Sequence, residues 1–141
     1  MTLYSFFKEF HSGFRYIVIV LVLLALVRAF MGWLGKRPYG EGNRKLNLFA
    51  MISVHTQFLL GIILFFISPM VQFSKDTMKN PITRYFTVEH WVIMLIAIAL
   101  ITIGHSKSKK ATLPEAKHKA IAIFYLIGIV LIAVGIMLIP Q

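Results

Sequence analysis

Four apolar runs divide the chain, at about 14–34, 46–67, 85–104 and 120–139, and polar residues collect between them. Crossing about 30 Å of hydrocarbon takes roughly 20 residues of helix, the length of each run. Lipid cannot satisfy a free peptide group, so every run must be helical. Short links between four such helices predict an all-α integral membrane protein, a single up-and-down four-helix bundle over residues 1–141. The first run is too long for the core of a secretory signal and no small-residue cleavage site follows it, so it is expected to stay as a helix.

The punctuation between the runs predicts hairpin connections. Pro38-Tyr39-Gly40-Glu41-Gly42-Asn43 predicts a turn, and Thr112 before Pro114 is the expected N-cap of the fourth helix. The link from 68 to 84 is the longest irregular piece, with Pro69 ending helix two and Pro81 barring an early start to helix three. It is expected to form an outer cap. Gly128 and Gly135, one heptad apart, predict a small-residue face on helix four for close helix contact.

Composition sharpens this picture. Hydrophobic residues make up 58% of the chain and the mean hydropathy is +0.78, well beyond an ordinary soluble domain. The absence of cysteine excludes disulfides, thiolate metal sites, iron–sulfur clusters and thioether-linked haem. A net charge of +10 could suggest nucleic acid, but the basic residues flank apolar runs and no nucleic-acid module occurs, so anionic lipid headgroups are the expected counterpart. Nine Lys and Arg lie in or beside the first and third links, against five in the N-terminal arm and second link (Lys8, Arg15, Lys75, Lys79 and Arg84). That asymmetry predicts links one and three inside and both termini outside. Only five acids are present, and neither a Ser-His-Asp set nor a phosphate-binding glycine loop is visible, which argues against hydrolase and nucleotide chemistry.

The remaining chemistry is carried by five histidines. His11 stands 17 residues before Arg28, and His90 stands 17 before Lys107, a weak internal repeat of two hairpins. Both therefore lie roughly 25 Å from the inner basic boundary, at one level near the outer face. In an up-and-down bundle helices one and three are diagonal neighbours. Two imidazoles facing across the core are what a six-coordinate b-type haem requires, so His11 and His90 are the candidate metal ligands. Arg15, one turn after His11, and Arg84, before His90, are candidate partners for the propionates, and Gly13 is a candidate for porphyrin clearance. Glu89 either stays in water or orients a ligand imidazole.

His55 lies about 15 Å into the membrane and is expected to face the bundle interior, where with Gln57 it could serve a quinone carbonyl or relay a proton. His105 and His118 are expected at the solvated inner boundary. A second haem between His55 and His118 would need helix four to shift inward.

The runs His11-Ser-Gly-Phe-Arg-Tyr, His55-Thr-Gln-Phe-Leu-Leu-Gly, Glu89-His90 and Ala116-Lys-His-Lys, spread over the whole chain, resemble a group of small four-helix bacterial membrane proteins labelled cytochrome b-like. The resemblance implies haem b, one or two per chain, in the bacterial inner membrane, with His11, His55, His90 and His118 as cofactor-binding positions. It also implies electron transfer, as a subunit beside other membrane subunits of a larger assembly; a quinone is the expected electron partner. The chain departs from the two-haem layout in which one helix carries two ligands about four turns apart. The alternative class is a cofactor-free accessory or scaffold subunit of a larger envelope complex.

Overall fold

A computed structural model of the protein describes residues 2–74 and 76–139. Among them, four long helices account for nearly all regular structure and no strand occurs: α1 (Leu3–Leu34), α2 (Glu41–Ile67), α3 (Pro81–Lys110) and α4 (Pro114–Met137). All four are long and apolar enough to cross a membrane. Neighbours pack in the order α1, α2, α3, α4 and back to α1, so α1 and α3 face each other diagonally. The protein is a membrane-type four-helix bundle.

Each helix overruns its apolar segment. α1 begins at Leu3, where Thr2 and Ser5 exchange side-chain-to-backbone bonds in a reciprocal cap, so the polar arm joins the helix. Pro81 does not bar helix three but opens it, since a first-turn residue needs no N–H donor, and the Asn80 side chain caps Ile82 and Thr83. Pro114 plays the same part in α4, whose N-cap is Leu113 and not Thr112. α3 likewise runs past His105 to Lys110, with Lys107, Lys109 and Lys110 at the negative end of its dipole. The link before α3 folds back onto it, with the Thr87 hydroxyl accepting from the Gln72 amide at 2.9 Å. Lys75, counted with the outer cations, lies outside the described residues.

The inner faces follow a heptad. On α1 the buried stripe runs Val18, Val22, Ala25, Ala29 and Gly32, in steps of four and three. α2 buries Asn47, Ala50 and Val54; α3 Ala97, Ile101, Gly104 and Ser108; α4 His118, Ile121, Tyr125, Gly128, Ile132 and Gly135. Steps of four and three keep one seam turned to the neighbours in a left-handed bundle. Small residues dominate the stripes while Leu24, Val27, Leu59 and Phe66 stand outside, as expected where lipid offers no hydrophobic drive and helices associate by close packing. Gly128 and Gly135 do form one small face: a Cβ on either would lie 2.6 Å from Ile101 Cγ1 or Met94 Cε on α3.

Candidate functional site

Extended outward by the same steps, the α1 stripe reaches Arg15 and His11, and the α3 stripe reaches Met94 and His90. Heptad phase therefore turns the two imidazoles toward one another across the diagonal. Their ring centroids are 6.3 Å apart with planes inclined at 55°. His11 lies eight residues inside α1, roughly 12 Å from its start, so the pair sits within the bundle and not at the helix entrances.

α2 and α4 complete the surround. Gln57 Nε2 donates to the His11 backbone carbonyl at 2.8 Å, and Gly61 presents a bare surface to His11 Nε2, which would lie 3.7 Å from a Cβ there. Both continue the α2 stripe in heptad steps from Val54. Two buried polar atoms at this place, His11 Nδ1 and Gln57 Oε1, have no protein partner. Groups so buried ordinarily have a partner, so these two atoms are open to a further hydrogen bond.

On α3 the decisive element is one that hydropathy did not indicate. Residues Tyr85–Glu89 form a π-helical turn, closed by the His90 N–H bonding to the Tyr85 carbonyl. In an α-helix residues five apart diverge by roughly 140°, whereas the wider π turn brings them much closer to one face. The Tyr85 hydroxyl thereby comes within 3.0 Å of His90 Nδ1. Its single proton is donated to the Gly135 carbonyl of α4 at 2.8 Å, so toward His90 the oxygen can only accept. His90 consequently carries its proton on Nδ1 and keeps the Nε2 lone pair free, the form a metal-ligating imidazole takes when its other nitrogen is fixed by an outer partner. A tyrosine five residues before a histidine matches no α-helical period, and for that reason Tyr85 escaped the sequence.

Arg15 lies close to the pair, its guanidinium 5.0 Å from the Tyr16 ring centroid and its Nη2 bonded to the Tyr16 hydroxyl. It meets no carboxylate among the described residues, so its charge is available to an anionic group. Arg84 is not available: its Nε binds Glu89 Oε1 at 2.7 Å. That pairing also assigns Glu89, which orients no imidazole. Gly13 gives no clearance inside the bundle either, because it lies on the exposed face with open space around it.

His55 and His118 invert their expected places. His55 is one position off the α2 stripe, so it is exposed on the outer seam with α3 and does not face the interior. The Thr102 hydroxyl donates to the Ile98 carbonyl at 2.7 Å, and so accepts from His55 Nε2 at 2.8 Å. Gln57 points to α1 and His55 to α3, so the two form no joint quinone or proton site. His118 is fully buried rather than solvated, its ring laid on Gly32 of α1 and its Nε2 3.2 Å from the Pro38 carbonyl. His55 and His118 are thus not brought together, and no second pair faces as the first does among the described residues. His105, also off its stripe, is partly exposed near His55.

No group of three His or carboxylate side chains converges among the described residues, so the site offers two opposed imidazole donors. Compared with protein-family models, curated proteins and solved structures, the chain matches none.

Proposed function

We propose that the protein is a membrane b-type haem protein that carries electrons within or beside a larger membrane complex, with His11 and His90 as axial ligands. The observation that carries this is the 6.3 Å separation of the two rings on diagonal helices. Two imidazoles that held one metal ion between them would stand at about this separation, with His11 and His90 as the residues that would hold it. The donor set suits the group: two nitrogen ligands, one with its tautomer fixed by Tyr85, and at Arg15 a guanidinium that meets no carboxylate among the described residues and bonds only the Tyr16 hydroxyl, for a propionate. The resemblance of the four histidine-bearing runs points the same way.

A haem with two histidine ligands supplies one-electron transfer and no open coordination position for substrate. The chain's own residues supply the rest. Tyr85 fixes the His90 ring against α4, and Gln57 ties the His11 backbone to α2. One haem per chain is the stoichiometry this arrangement supports.

We infer an orientation with both termini outside and links one and three in the cytoplasm of a bacterial inner membrane, a reading supported by the excess of Lys and Arg in those links. The partners we infer are other membrane subunits, with a quinol as electron donor or a quinone as electron acceptor.

The test is a dithionite-reduced minus oxidised absorption spectrum of the purified protein expressed with ample haem, with a pyridine haemochrome count. A b-type α band at one haem per chain, abolished in both His11→Ala and His90→Ala, is expected. No Soret band would overturn the proposal and leave a cofactor-free accessory subunit.

A further inference from the structure

At the opposite end of the bundle the chain builds a second polar site that owes nothing to the histidine pair. α1 ends at Gly35, and the chain reverses through Lys36, the one described non-glycine residue with positive φ, at 51°. The Arg37 amide then bonds back to the Gly32 carbonyl at 2.9 Å, the six-to-one closure of a Schellman turn. A lysine in the left-handed region costs about 1 kcal/mol, a strain held by the surrounding packing. His118 supplies it. Pro38 can only accept, so His118 Nε2–H donates to its carbonyl, while the Tyr39 ring packs edge-on against the imidazole at 5.1 Å. A side chain on Gly32 would displace that ring, so the glycine is what lets His118 reach the turn.

The folded-back turn encloses a recess of about 240 Å³ lined by Arg28, Gly32, Arg37, Pro38, Asn43 and His118. Its charge is one-sided. Neither guanidinium meets a carboxylate or makes a side-chain hydrogen bond among the described residues. Arg28 lies beside Gly42 in the first turn of α2, where Asn43 Oδ1 accepts from the Gly40 amide at 3.1 Å and Glu41 is paired with Arg44, so neither guanidinium of the recess is neutralised from this side. His118, 1% exposed, lines the recess with a buried Nδ1 that has no partner. Two arginines without a carboxylate partner therefore line the recess, a charge that an anion would balance. An adjoining recess shares Arg37 and Pro38 but includes Glu115, which makes it the poorer host.

We propose that this recess binds a phosphate group. Planar, forked guanidinium donors suit phosphate oxygens, and basic pockets between helices at the membrane surface are suited to anionic headgroups. Arg28 and Arg37 supply the charge, and His118 is a positioning residue that holds the Arg37 turn against α1.

The test uses the full chain in a neutral detergent, with phosphatidylglycerol against phosphatidylcholine as lipid probes and inorganic phosphate against chloride at equal ionic strength. Retained lipid is read by native mass spectrometry and affinity from the shift of the melting temperature. Both arginines are exposed, so the Arg28→Gln, Arg37→Gln double variant is expected to fold, verified by its helical circular dichroism. Its binding should weaken at least about tenfold for each guanidinium removed, while Lys109→Gln with Lys110→Gln leaves binding unchanged. Selective retention of phosphatidylglycerol would assign the phosphate to a lipid headgroup; a response to inorganic phosphate without lipid preference would assign it to a soluble ion. Equal weakening in the two double variants, or no anion preference in the wild type, would overturn the proposal.

Discussion

The Tyr85 hydroxyl donates to the Gly135 carbonyl and accepts from His90 Nδ1, joining α4 to the ring that faces His11. Tyr85→Phe keeps the ring packing and removes both bonds. Two polar groups in the bundle are left unpaired, at a cost of about 1–3 kcal/mol each. With haem bound, removal of an outer partner of this kind weakens cofactor affinity by roughly 10- to 100-fold. Haem retention through gel filtration and the reversible unfolding midpoint both test this. A variant with wild-type values in both would show that the hydrogen-bonded tautomer does not matter.

Ligand assignment separates the histidines cleanly. His11→Ala and His90→Ala should each abolish the b-type spectrum, whereas His55→Ala should leave haem content unchanged, because that side chain lies on the outer seam bonded to Thr102. Loss of haem in His55→Ala with retention in His11→Ala would reverse the assignment.

Glycine substitutions probe the packing. Gly128→Ala places a methyl 2.6 Å from Ile101 Cγ1 and should destabilise by about 1–3 kcal/mol through overpacking, while Gly13→Ala meets open space and should be neutral or stabilising by up to about 1 kcal/mol. Unfolding titrations in mixed micelles would compare them directly. Similar effects at both sites would refute the close approach of α3 to α4.

The positive φ of Lys36 makes a further prediction. Lys36→Gly relieves the left-handed strain and should raise stability by up to about 1 kcal/mol, seen as a higher melting temperature. A fall in stability would mean that the lysine side chain does more for this turn than its backbone costs.

Phase explains which site residues were legible. His11, Arg15, Gln57, Gly61, His90 and His118 all continue the small-residue stripes in steps of three and four, and that spacing was open to reading along Ala25, Ala29 and Gly32 or Asn47, Ala50 and Val54. Depth alone was a poorer guide: it placed His55 inside and His118 in water, the reverse of what one residue of helical phase decides. His11 and His90 were found because depth and phase agree there.

By itself the sequence determined the four helices, the up-and-down order and the two imidazoles at one level. All of these follow from transfer free energy summed along the chain, a quantity that needs no knowledge of neighbours. Only the tertiary structure decided the π turn that sets Tyr85 over His90, the capture of Arg84 by Glu89, the outward turn of His55 and the seating of His118 on Gly32. Those depend on the azimuth of each helix and on a single altered backbone hydrogen bond, which small-residue packing between helices settles and hydropathy does not register.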